Sequence, residues 1–121
     1  MKQSFVIYGR LPGYNQLNSG HWAVKNRLKQ ESMRLVQIAA MADKIRPVKG
    51  QAKVRITCFE PNAKRDVDNV KAGANKIILD ALQGIKIIEG DGRKYIVEVL
   101  NPQIEIDRKK PRIEVEIEEV R

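Results

Sequence analysis

Residues 53–59, Lys53-Val54-Arg55-Ile56-Thr57-Cys58-Phe59, alternate polar and apolar side chains and lie between two long stretches of helical period. A strand flanked by helices on both sides has no hairpin partner next to it in sequence. The chain must cross over a sheet, and crossovers let strands run parallel. Before this strand, residues 22–43 repeat Val24, Leu28, Leu35, Val36 and Ala39 at helical spacing, put Lys25, Lys29 and Arg34 on other faces, and stop before Pro47. After it, residues 67–83 carry Val70, Ala74, Ile77, Ile78, Ala81 and Leu82 as one apolar stripe, with Gly84 placed to cap the helix end. Strand signals at 4–8, at 95–100, and at Ile113, Val115 and Ile117 alternating with glutamates complete the set. The turn-rich stretch 9–21 reads as a loop. The expected fold is α+β in the order β-α-β-α-β-β. A mixed four-stranded sheet carries two main helices, and an antiparallel hairpin closes it across the basic turn 107–112.

With 121 residues the chain suits a single domain spanning 1–121. Its formal charge of +8 favours a polyanionic partner, because neutralised phosphates release counterions. Aromatic residues make up only 5%, so phosphate contacts should outweigh base stacking. The single cysteine, Cys58, excludes an internal disulfide and a cysteine-rich zinc site, and the strand alternation places it in the core. The N-terminal apolar run is too short for a signal peptide, and no window approaches a membrane span. A cytoplasmic protein with no membrane partner is expected.

Against that basic background, "KRDVDN" at 64–69 sets Asp66 and Asp68 behind Lys64 and Arg65 where the second long helix begins. One reading is local: Asp66 caps the helix and Asp68 complements its dipole. The other is a hard-metal site. Mg²⁺ takes oxygen ligands, often one or two carboxylates together with a substrate phosphate. Asp91, in the acidic cluster 89–92 before the next strand, could complete such a site. Lys64, Arg65, Lys71, Lys76, Arg93 and Lys94 would then hold a nucleic-acid backbone around it. Cations bring the phosphate and aspartates bring the metal.

"KRDVDNVKAGANKIILDAL" followed by "IIEGDGRKYI" resembles the RusA-like endodeoxyribonucleases, small phage-associated enzymes that resolve Holliday junctions. The likeness spans most of the chain. It implies a Mg²⁺-dependent homodimer, with Mn²⁺ as a possible substitute and no organic cofactor, acting on branched DNA in recombination and repair. It further implies that Asp66, Asp68 and Asp91 bind the metal and that a lysine on the same helix assists at the phosphate. In the family pattern that lysine falls four residues after the second aspartate, where this chain has Ala72. Lys71 is adjacent but turned about 100° around the helix. Lys76 lies one turn beyond Ala72 and four residues before Asp80, and is the preferred candidate, stabilising charge rather than acting as a base.

Several residues keep two readings. Asn69 either bonds locally at the helix start or holds a water of the metal's coordination shell. His21 reads as solvated or packed rather than catalytic, having no partner for such chemistry. Trp22 reads as a core anchor, with stacking on an exposed base as the alternative. Residues 107–112 form a solvated turn or touch DNA arms. The rival functions are a non-catalytic branched-DNA-binding protein of the same fold, and a basic assembly or RNA-associated protein.

Overall fold

The computed structural model describes residues 2–89, 96–99 and 103–120, with the backbone course alone for 96–99. Asp91, Arg93 and Lys94 lie outside the described residues.

The elements run β1 (Lys2–Tyr8), α1 (Tyr14–Leu17), α2 (Trp22–Ala42), β2 (Gln51–Glu60), α3 (Val67–Gly84), β3 (Ile96–Val99), β4 (Gln103–Ile106) and β5 (Arg112–Val120). The fold is α+β, with the expected strands and both long helices. Side by side, the sheet is four positions wide, because β3 and β4 both run parallel to β2, at 52–54 and 57–60 of that strand. They share one edge position. The order is β1-β5-β2 and then the β3/β4 edge.

The expected closing hairpin does not form. β5 pairs antiparallel with β1 along 2–8 and with β2 along 51–59, so β2 separates it from β3, its expected partner, and from β4, a short strand that the sequence did not lead us to expect. The physical reason lies in the turn at 107–112. Asp107 Oδ1 accepts from the N–H groups of Lys109 and Lys110, both at 3.1 Å, and Oδ2 accepts from Arg112 at 2.8 Å. The Asp107 N–H donates to the Glu60 carbonyl at 2.8 Å, and the Gly9 N–H donates to Pro111 at 2.9 Å. The turn is thereby anchored at the ends of β2 and β1, and β5 starts in the gap between them.

Strand alternation decides the core. Phe5 and Ile7, the even-numbered residues from Ala52 to Glu60, and Ile113, Val115 and Ile117 are buried, facing Val36, Ala40, Ala74, Ile77, Ile78 and Leu82 of the helices. Cys58 belongs to this core, where burial pushes its thiol up to about 12, so it stays protonated at neutral pH. The other sheet face is solvated. There Glu116 and Glu118 of β5 stand opposite Arg55 and Lys53 of β2. Outside the core, Leu35, Ile38 and Met41 of α2 are exposed. Leu35 and Ile38 border a cavity of about 420 Å³ against Val6, Ile7 and Tyr8.

Both long helices end in the same way. Lys44 and Lys86 adopt left-handed backbone, with φ of 55° and 61°. The N–H groups of Ile45 and Ile87 reach back to Ala40 and Leu82. These are Schellman motifs in which the isoleucine makes the apolar contact. The expected cap at Gly84 is therefore corrected: Gly84 is the last helical residue and Lys86 takes the left-handed turn. Burial of Ile87 offsets the roughly 1–2 kcal/mol cost of a left-handed non-glycine residue.

Gly73 has a separate task in the middle of α3. A Cβ there would lie 2.3 Å from the Pro12 carbonyl and 2.9 Å from Gly13 backbone atoms. Neither can swing aside, so Gly73→Ala is expected to destabilise the fold by about 1–3 kcal/mol in a denaturant melt. Gly84→Ala is the control. Its Cβ would meet the flexible end of Gln37 at 2.9 Å, and the gain in helix propensity of up to about 1 kcal/mol should cancel that cost.

Candidate active site

The segment 9–21, expected as loop, contains the short helix α1 and is clamped onto α3 by three residues. The Arg65 guanidinium donates to the Leu11 carbonyl at 2.8 Å. Asn69 Oδ1 accepts from the Asn15 N–H at 2.7 Å, and its amide sits where a Cβ on Gly13 would be. Gly73 lets Pro12 approach. Asn69 and Gly73, four apart, lie on one face of α3, and Arg65 adds a third grip from just before the Asp66 cap.

Behind these contacts sits Glu60, which the sequence reading passed over. Its carboxylate accepts from Arg65 Nε and Nη2 at 2.8 and 2.9 Å and from Arg10 Nη2 at 3.0 Å. The side chain is only 4% exposed. Burial pushes its pKa up, but the hydrogen bonds from Arg65 and then Arg10 outweigh this and leave it below the ordinary carboxylate value. Two arginines on one carboxylate leave the cluster with a net positive charge. Both line a cavity of about 310 Å³ with Leu11, Pro12, Gln16 and Leu28. The signal for Glu60 was available, since it continues the inward alternation of Val54, Ile56 and Cys58.

The two aspartates are treated differently. Asp66 is the N-cap of α3, and its Oδ2 accepts from the Asn69 N–H at 3.3 Å. The local reading is correct for Asp66, through one oxygen and a long bond. Asp68 lies in the first turn, exposed, without an ion pair or side-chain hydrogen bond among the described residues. The two carboxylates at the helix start offer all-oxygen donors to the solvent. That donor chemistry fits Mg²⁺ better than a soft metal. Among the described residues no three His, Cys, Asp or Glu side chains are grouped to hold a metal, and Asp91, the expected third ligand, lies outside them.

The lysines divide as well. The Lys64 N–H donates to Asn62 Oδ1, and its side chain is exposed, while Lys71 is half-buried on α3. Lys76 is about 12 Å along the helix axis from Asp68 and pairs with Asp80 at 3.3 Å, one turn farther away. Lys29 of α2 meets the same carboxylate at 2.9 Å. Burial works to raise the Asp80 pKa, and Lys29 and Lys76 together hold it below the ordinary value. Asn75, seven residues from Asp68 and so on nearly the same face, has a buried Oδ1 with no hydrogen-bond partner.

Two further expectations are settled by exposure and capping. His21 is the N-cap of α2, its Nδ1 accepting from the Ala23 N–H at 3.2 Å. Trp22 is 71% exposed, so the core-anchor reading is overturned: as the first residue of α2 it lies before the helix reaches the sheet. No helix among the described residues is long and apolar enough to cross a membrane. The chain matches no model of a known protein family and no curated protein.

Proposed function

We propose that the chain is a Mg²⁺-dependent, structure-selective endodeoxyribonuclease that nicks four-way DNA symmetrically, with Mn²⁺ able to substitute. The observation that carries this reading is Asp68. Around it Arg65, Asp66 and Asn69 all have structural partners, whereas Asp68 is an exposed carboxylate that holds nothing among the described residues. The helix dipole accounts for roughly 0.3–1 kcal/mol of its placement, and a bound cation would add to that. The resemblance of "KRDVDN" and "LDAL" to the RusA-like nucleases points the same way.

In this reading Asp66, Asp68 and Asp91 hold the ion. When bound, it neutralises charge developing on the phosphodiester and makes water a better nucleophile. Lys64, Lys71, Arg93 and Lys94 position the flanking phosphates. Arg65 acts chiefly by fixing the helix start through Glu60, and Lys76 meets a phosphate farther along α3. Two chains around a two-fold axis would serve opposed strands of a junction, which itself has approximate two-fold symmetry. The setting is cytoplasmic recombination or repair, phage or prophage encoded. Sedimentation with a bound four-way junction is expected to give two chains per junction. One chain per junction would remove the paired-nick mechanism.

A second reading has one specific observation in its favour. Asp66 caps α3, as it would in a non-catalytic protein that binds branched DNA. That protein would bind junctions with strong salt dependence and never cut them.

A further inference from the structure

We infer that Trp22 is a stacking platform for an unpaired nucleobase, and that the basic stripe beside it carries the adjoining backbone toward α3. This rests on the nuclease reading in requiring DNA as the partner, but it needs neither metal nor cleavage.

Exposure is the first observation. Tryptophan buries more area than any other side chain and is highly buried on average, yet Trp22 is 71% exposed at the first turn of α2. The second is that the ring is mounted rather than trailing. His21 caps the helix through Nδ1, and its ring lies 5.8 Å from the indole, tilted by 35°. The indole is thereby supported on one side by a neighbour that is itself fixed.

Charge is the third observation. Lys25 and Lys29 follow three and seven residues after Trp22, which places them on the same side of α2. Lys29 shares Asp80 with Lys76 of α3, so one carboxylate faces two ammonium groups. The surface leading from Trp22 to α3 is net positive. An aromatic face followed by cations is the arrangement that binds single-stranded nucleic acid, since stacking tolerates any base and the cations follow the phosphates.

The stripe meets α3 at Lys76 and Asp80, about 12–18 Å along the helix axis from Asp68. α1, just before Trp22 in sequence, is fixed to α3 one residue beyond Asp68 by the Asn15 to Asn69 hydrogen bond. Bases are free to reach the indole at a branch point or in single strands, and are stacked away in duplex. Trp22 would then contribute to selectivity for branched DNA.

The chain has one tryptophan, so its fluorescence reports on this residue alone. Unlabelled oligo(dT), a four-way junction and a linear duplex would each be titrated into the protein in chelator, with binding followed separately by anisotropy of labelled DNA. The expected result is quenching by oligo(dT) and by the junction, but little by duplex. Trp22→Ala should weaken junction and oligo(dT) binding by roughly tenfold or more, leave duplex binding within about twofold, and melt with the wild type. Trp22→Phe should restore most of the loss.

Junction binding by wild type with unchanged emission would overturn the inference while leaving the nuclease reading intact. Equal loss of duplex and junction binding in Trp22→Ala would do the same, reducing Trp22 to a general contact. Should Trp22→Ala fail to fold, the wild-type titration decides by itself. Absence of all DNA binding would remove both readings, and a response only to anionic lipid vesicles would replace DNA with a membrane surface.

Discussion

Glu60→Ala is expected to lower the unfolding free energy at neutral pH by about 2–4 kcal/mol, about 1 kcal/mol below the usual range for breaking a buried ion pair. The discount reflects exposure: the Arg10 side chain is 37% exposed and can return to water. Arg65, at 21%, cannot do so without releasing the Leu11 carbonyl. Loss of Glu60 therefore frees the end of β2 from both the segment after β1 and the start of α3. A pH dependence accompanies it. The folded pKa of Glu60 lies below its ordinary value, so its stabilisation is complete above the ordinary carboxylate range, near 4.3. It is lost as pH falls through the lower folded value. The difference between wild type and variant in urea melts should be largest at neutral pH and shrink in acid. A constant difference down to strongly acidic pH would contradict the ion-pair account. Because Glu60 fixes Arg65 directly before Asp66, the proposed metal reading predicts that the variant also binds Mg²⁺ more weakly.

On the proposed nuclease reading, Asp68→Asn should leave the metal-free protein almost as stable as wild type, while removing the stabilisation by Mg²⁺ and the cleavage activity which that reading predicts. Two opposing effects decide the first part. An acidic residue in the first helical turn is worth roughly 0.3–1 kcal/mol through the dipole, and removing one of two neighbouring exposed carboxylates relieves repulsion of similar size. The net change should stay below about 1 kcal/mol. The metal effect is larger. At ten times its dissociation constant Mg²⁺ should stabilise wild type by about 1.4 kcal/mol by mass action, and the variant by almost nothing. Junction cleavage should fall at least about a hundredfold, because an ion's charge stabilisation of several kcal/mol is lost. Loss of metal-free stability with the Mg²⁺ effect intact would make Asp68 a structural residue.

In α3 and β2 the periodicity is a direct record of burial, whereas in α2 two residues of the expected apolar stripe, Val24 and Leu35, are exposed and only Val36 of that stripe is fully buried. Ala74, Ile77, Ile78 and Leu82 face inward as the helical spacing requires, and Val54, Ile56 and Cys58 do so by alternation. The position of β5 was not legible. Ile113, Val115 and Ile117 reveal which face of that strand is buried but not which strands lie beside it, and that depends on the anchoring of Asp107 and Pro111 by hydrogen bonds distant in sequence. α1, with four residues, is too short to display a period.

At the candidate site the cap at Asp66 was readable from residue type alone. The Glu60, Arg65 and Arg10 cluster was missed because glutamate is rarely buried, although strand parity placed it inward. Trp22 misled in the opposite direction: the tendency of tryptophan to be buried pointed to the core, whereas its place at the first turn leaves it in solvent.

The most direct measurement is cleavage of an end-labelled four-way junction beside linear duplex of the same sequence, with Mg²⁺ or with chelator, by wild type and Asp68→Asn. Paired symmetric nicks in the junction alone, lost in chelator and lost in a variant that still binds the junction, are the predicted result. Tight junction binding by wild type with no nick in either Mg²⁺ or Mn²⁺ would contradict it, and would leave the aspartates of "KRDVDN" as the start of a helix.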